Sequence, residues 1–203
     1  MTAQNGVDHI VFAGADVPHY DVPNHIADHI YEERGIRTAA WRGIGAGHNN
    51  FPIEAMIDEL ARNAGQDPLA YRIALLKDPR AKAAMERVGR MAEATRKREG
   101  SAVGFAFAKL GLPPIGFSMC GTAAEITLDR ATGRIKVTDL WCAADVGLPV
   151  QPSNIVAQLE GSLVWGLGST IKERMSVRNG VVEQRNFNDY EIDRKSTRLN
   201  SSH

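Results

Sequence analysis

The residues best placed to do chemistry lie in the run WRGIGAGHNN, Trp41 to Asn50. Glycine at 43, 45 and 47 removes Cβ from three alternate positions, so backbone N–H groups can approach an anion or the flat edge of a cofactor, and Arg42 adds a charged fork. The competing reading is an ordinary glycine turn leading into a helix. A dinucleotide fingerprint fits poorly, because G-x-G-x-x-G would need glycine where His48 stands.

Other candidates are weaker. His25 and His29 are four apart, but Ile26 breaks the zinc-protease pattern H-E-x-x-H, and a solvated pair is the plainer expectation. Glu54, Asp58 and Glu59 suit the first turns of a helix and solvent rather than acid–base work. Neither a nucleophile elbow nor a phosphate-binding P-loop occurs. Cys120 and Cys142 lie in apolar, strand-like stretches, where buried free thiols are expected ahead of a disulfide, and two cysteines alone make no zinc site.

The elements that would position these residues follow from pattern. FPIEAMIDELARNA (51–64) places Ile53, Met56, Ile57, Leu60 and Ala64 on one helical face, with Pro52 in the first turn and Gly65 as the stop. Asp67-Pro68 starts a second helix, and the run from Pro79 to Gly100 makes a third. NHIADHIYEER before them reads as short helix or extended chain, and IRTAAWRG as a strand entering the glycine turn. From Ser101 the texture turns to alternating and β-branched residues. SAVGFAFAKL is a strand, and Thr122 to Val146 is a hairpin around RATG. NIVAQLEGSLVWGLGSTI is a glycine-bearing apolar helix, and a last hairpin turns on Asn179-Gly180. Helices grouped together and then strands predict an α+β fold, a helical layer followed by mixed or antiparallel hairpins.

Lysine plus arginine equals aspartate plus glutamate, 24 each, which removes the broad electrostatic case for nucleic acid or an anionic membrane. No apolar run reaches the length of a membrane span. RKSTRLNSSH, 194–203, is polar, aperiodic and similar to translated sequencing adapter, so it is expected to be non-native and to stand outside the fold. That leaves a cofactor-contacting turn and helical subdomain at 1–100, and a sheet with its glycine-rich helix at 101–193.

Two long blocks carry a family resemblance. AAWRGIGAGHNNFPIEAMIDELARNAGQDPLAYRIALLKDPR resembles the segment of molybdenum hydroxylase large subunits where [FW]-R-G-x-G precedes a helix ending in DELA and then DP-x-x-[FY]-R. CGTAAEITLDRATGRIKVTDLWCAADVGLPVQPSNIVAQLEGSLVWGLGSTI resembles the later pattern E-[VI]-x-[VL]-D-x-x-T-G, D-x-G, a P-x-x-[VI] turn and Q-x-E-G-x-x-x-x-G-L, with NFNDY (186–190) after it. The resemblance, to the xanthine dehydrogenase and aldehyde oxidase family, covers roughly residues 20 to 192, and the short connection between blocks is closer to the isoquinoline 1-oxidoreductase type than to xanthine dehydrogenase.

That resemblance implies a molybdenum–molybdopterin cofactor in its cytosine dinucleotide form, and hydroxylation of an N-heterocycle or aldehyde with oxygen from water. It also implies a small partner subunit carrying [2Fe–2S] clusters. It assigns cofactor contacts to Arg42, Gly43 and Gly45, with Gln158 and Gly161 as further contacts, and gives Ile44 a place in the substrate pocket. The family's upstream G-G-G-F-G loop and downstream G-x-G-E segment, which holds the catalytic glutamate, do not occur in this sequence. No catalytic residue and no metal ligand is therefore assigned, and the chain is expected to be an internal piece, inactive alone, with exposed apolar faces. The alternative is a non-catalytic α+β binding or interaction module in which WRGIGAG is only a turn.

Overall fold

Two Asp-Pro pairs set the register of the helical layer. In the computed structural model, which describes residues 8–15, 19–32, 35–36, 39–95, 98–112, 114, 116–192 and 198–202, Asp67 caps helix α3 (Pro68–Leu75). It accepts from the Ala70 N–H at 2.8 Å. Asp78 caps α4 (Pro79–Ala94) through the Arg80 N–H at 2.9 Å. Each proline sits at the first helical position, where its missing N–H costs nothing. Before them come a single helical turn, α1 (His9–Phe12), and the long α2 (Gly45–Asn63).

α2 departs from expectation at its start and in its buried face. It begins at Gly45, so Pro52 lies inside the helix, not in its first turn. The inward residues are Gly45, Glu54, Ile57 and Ala61, while Met56 is 55% and Leu60 39% exposed. The rotation has a polar cause, because Glu54 is drawn inward by Arg72 of α3, whose side chain is fully buried. Arg72 donates from Nε to Glu54 Oε2 at 2.9 Å, and from its terminal nitrogens to Asp58 Oδ1 at 2.5 Å and the Glu54 carbonyl at 2.9 Å. Tyr20 donates to Glu54 Oε1 at 2.8 Å, and the Phe107 N–H to Oε2 at 3.0 Å. Glu54 and Asp58, expected to face solvent, thus tie four parts of the chain together. Burial raises the Glu54 pKa above its ordinary value despite the Arg72 hydrogen bond. Burial opposes the charge on Arg72, and the hydrogen bonds with Glu54 and Asp58 outweigh it, leaving its pKa raised.

The sheet is built from β1 (Ser101–Leu112), β2 (Gly116–Leu128) and β3 (Ile135–Asp145), consecutive antiparallel neighbours. α4 packs across β2 and β3, while α2 reaches β1. Ala81, Met85, Val88 and Ala92 of α4 meet Phe107, Met119, Ala123, Trp141 and Ala143 of the strands in one core, which Tyr20, Ile57 and Leu76 complete. This core draws on residues from both sides of position 100.

A bulge where Glu125 faces Asp139 and Ile126 faces Val137 leaves Thr138 extra on β3. Beside it Glu125 and Asp139, both buried, receive the Arg98 guanidinium, and Ser101 donates to Glu125 at 2.5 Å. Hydrogen bonds from Ser101 and from the Arg98 N–H hold the Glu125 carboxyl down to about 2. The turn between β2 and β3 is pinned by Asp129, which accepts from the N–H groups of Ala131 and Thr132.

Beyond the sheet come α5 (Pro152–Ile171) and a small hairpin of β4 (Val177–Arg178) and β5 (Val181–Val182). The hairpin turns on Asn179 and Gly180, both at positive φ, as the sequence predicts. Of α5 only Leu167 and Gly168 are buried. Arg198–Ser202, expected to stand outside the fold, runs as β6 parallel to the open edge of β3. Pairing at an edge uses main-chain groups alone, so it places no demand on side-chain pattern. The expected strand before the glycine turn is absent among the described residues: 39 and 40 join no sheet, while 37 and 38 lie outside the described residues. Residues 24–32 form neither helix nor strand. No helix among the described residues is long and apolar enough to cross a membrane.

Candidate functional site

The glycine turn ends in a strained helix start. Gly43 has φ +96°, and Ile44 follows at φ +47°, a region a β-branched residue rarely enters. The Ile44 N–H donates to the Trp41 carbonyl at 2.8 Å, closing the turn, and Ile44 is the N-cap of α2 without any side-chain cap. Gly45 is buried against α1, where an added Cβ would lie 2.1 Å from the Val11 carbonyl oxygen. Asn49 fastens the same junction by donating to the carbonyls of Val11 and Ala13, at 2.8 and 3.0 Å. The turn is thus held from below, and Trp41, Arg42 and Ile44 are left accessible above it.

Arg42 meets α5 there. Its guanidinium donates to Gln158 Oε1 at 2.6 Å across 116 residues of sequence. Two turns further along α5, on the same side of the helix, the Trp165 ring centroid lies 5.9 Å from that of Trp41 and 6.0 Å from the Arg42 guanidinium carbon. Gly161 lies between them, exposed, with open space where a Cβ would be. Nor would a Cβ at Gly43 meet any atom within 4 Å.

Of the residues expected to form a site, Arg42, Gly43, Ile44, Gln158 and Gly161 therefore come together at one exposed junction. Gly45 is turned away into the packing of α1. Trp165 fills an unspecified position of the Q-x-E-G-x-x-x-x-G-L pattern and so is not singled out by it, although its spacing of seven from Gln158 is the pattern that puts two side chains on one helical face.

The remaining candidates go elsewhere. His25 and His29 are exposed on a segment that is neither helix nor strand, and no group of three or more His, Cys, Asp or Glu among the described residues is placed to hold a metal. A cleft of about 410 Å³ between α4 and the end of β3, lined by Arg80, Arg87, Asp145 and Gly147, contains none of the residues above. Arg80 spans Asp145 with two bonds of 3.0 and 2.6 Å, and this pairing, with the Gly147 N–H, holds the Asp145 carboxyl down to about 2.

A guanidinium fork, bare main chain at two glycines, a side-chain amide and an indole face form a donor-rich, partly aromatic shelf. Such a set suits a ligand with anionic or carbonyl oxygens and a flat ring, and so fits a pterin bearing phosphate.

The comparisons with known proteins agree in class. The chain belongs to the molybdopterin cofactor-binding domain family, whose model matches residues 51–196, a range that takes in Gln158 and Gly161 and begins beyond Arg42. That family is one of molybdopterin-dependent oxidoreductases. Over 178 residues the chain is 33% identical to the beta subunit of isoquinoline 1-oxidoreductase from Brevundimonas diminuta, covering 87% of this chain and 23% of that one. Over 191 residues it is 32% identical to a nicotinate dehydrogenase subunit from Pseudomonas putida, covering 87% of this chain and 16% of that one. The chain thus spans less than a quarter of the length of these relatives. Its fold matches the aldehyde oxidoreductase of Desulfovibrio desulfuricans with TM-score 0.60 at 13% identity, over 66% of this chain and 32% of that one.

Proposed function

We propose that this chain is a part of the large subunit of a molybdenum hydroxylase, and that the Trp41–Ile44 turn with Gln158 and Gly161 is its share of the cofactor site. The observation that carries the reading is the Arg42–Gln158 hydrogen bond, because it brings the glycine turn of one motif block and the glycine-bearing helix of the other to one exposed point. In this reading Arg42 and the Gly43 main chain hold the oxygens of a molybdopterin cytosine dinucleotide, Gln158 orients Arg42, and Ile44 borders the substrate. The bound cofactor supplies the oxidising centre at which a carbon of an N-heterocycle or aldehyde gains oxygen derived from water.

The catalytic glutamate and the remaining walls of the pocket belong to segments outside this sequence, so the chain alone is expected to be inactive. The exposed apolar residues Trp41, Phe51, Trp165 and Ile171 suit contact with those segments. Electrons leave through a small [2Fe–2S] partner subunit. Residues 194–203, beyond most of the family match, have no part in this function.

The test is to recover the complete reading frame, express it with its partner subunit and measure bound molybdenum by elemental analysis. Arg42→Ala is expected to lower retained molybdenum roughly tenfold, the weight of one charge-assisted hydrogen bond, with circular dichroism unchanged. Molybdenum content equal to wild type would sink the assignment of Arg42. A complete frame that binds neither metal nor pterin would favour the non-catalytic module.

A further inference from the structure

Neither cysteine takes part in the site above, yet the fold sets them side by side. Cys120 on β2 faces Ala144 in register, and Cys142 on β3 faces Thr122, which makes them a diagonal cross-strand pair. Met119, Trp141 and Ala143 point into the core, and Gly121 lies against Ala84 and Met85 of α4. By alternation both thiols stand on the opposite face of the sheet. Their sulfurs are 3.1 Å apart, unbonded. Cys142 is buried and Cys120 only partly so.

We propose that Cys120 and Cys142 form an oxidation-sensitive pair that a small hydroperoxide converts to an intramolecular disulfide joining β2 to β3. Cys120 is the attacking thiol, being the more exposed. The hydrogen bond with Cys142 lowers the Cys120 pKa, while Cys142 is shifted upward and stays protonated as the resolving partner. In the first step the Cys120 sulfur bonds to the distal peroxide oxygen, the O–O bond breaks, and the leaving oxygen departs as water or alcohol with the thiol proton. In the second, the Cys142 sulfur bonds to that of Cys120, the S–O bond breaks, and water leaves with the Cys142 proton. Two thiols lose two electrons and two protons, and the peroxide gains them. The sulfurs have to close by about 1 Å to reach bonding distance.

The full chain, reduced and desalted, is to be treated with hydrogen peroxide, alkylated with N-ethylmaleimide and weighed intact. The expected product has lost two hydrogens, carries no alkyl group and remains monomeric on a non-reducing gel. Cys142→Ser is expected to stop at a sulfenic acid on Cys120 that dimedone traps, and Cys120→Ser to slow oxidation of the remaining thiol roughly tenfold. Two alkylated thiols after treatment that oxidises free cysteine would overturn the proposal. So would disulfide-linked dimers as the sole product, or sulfinic acid at Cys120 in the wild-type chain. The wild-type mass decides the question even if a variant fails to fold.

Discussion

Arg72 shows how a motif residue can serve the scaffold and not the chemistry. Its guanidinium, in the DP-x-x-[FY]-R pattern, is wholly buried between Glu54, Asp58 and two backbone carbonyls, far inside the packing of α2 on α3. Removing one partner of such a group leaves an uncompensated charge without water, so Arg72→Ala is expected to cost about 3–5 kcal/mol in urea unfolding. A cost near zero would mean that Glu54 had found water or a new partner. Asp129, Thr132 and Asp145 are likewise motif residues engaged in turns and ion pairs. Arg42 and Gln158 are exposed like Asp129 and Thr132, and differ from them in bonding across the junction of the glycine turn with α5 and not within one local turn. Residue identity alone could not separate these two groups, since the difference lies in partners far along the chain.

Elements are legible where their signals are local. The Asp67 and Asp78 caps, the Asp129 turn and the Asn179-Gly180 hairpin all lie where short-range chemistry puts them. α2 is not, because Pro52 reads as a helix start and Glu54 as solvent-facing, whereas Arg72 rotates the helix so that Glu54 points inward and Met56 outward. The family resemblance points to Arg42 and Gln158, but Trp165 needs the helix to be built. α5 differs from the other long helices in having two buried residues in its whole length. Its amides are expected to exchange with deuterium well ahead of those of β2, whose inner face is covered by α4. Equal protection would show that α5 is held by more than its ends, and would remove the reason to expect a further covering segment.

At the scale of the whole molecule, stability is concentrated in the sheet with its helical cover, and acid is its natural probe. Glu125 and Asp145 are both held at about 2, below their ordinary values of 4.5 and 3.8. A depressed folded-state pKa gives stability that is complete above the unfolded value and is lost as pH falls towards the folded one. The urea midpoint is therefore expected to drop between about pH 4.5 and 2, and Glu125→Gln to flatten that drop. Glu54 runs the other way, since its raised pKa makes ionisation unfavourable as pH increases. A wild-type midpoint constant over that range would contradict the ion cluster around Arg98.

The bond between Arg42 and Gln158 has a kinetic consequence. This contact joins residues 116 apart in sequence for the return of one exposed hydrogen bond and an indole contact, whereas the other distant contacts are backed by the buried core. A contact held by so few exposed interactions is among the first to open. In the proposed function the shelf is then complete only part of the time until a ligand bridges it, so the affinity expected of it reflects how often its two halves meet as well as how well they grip.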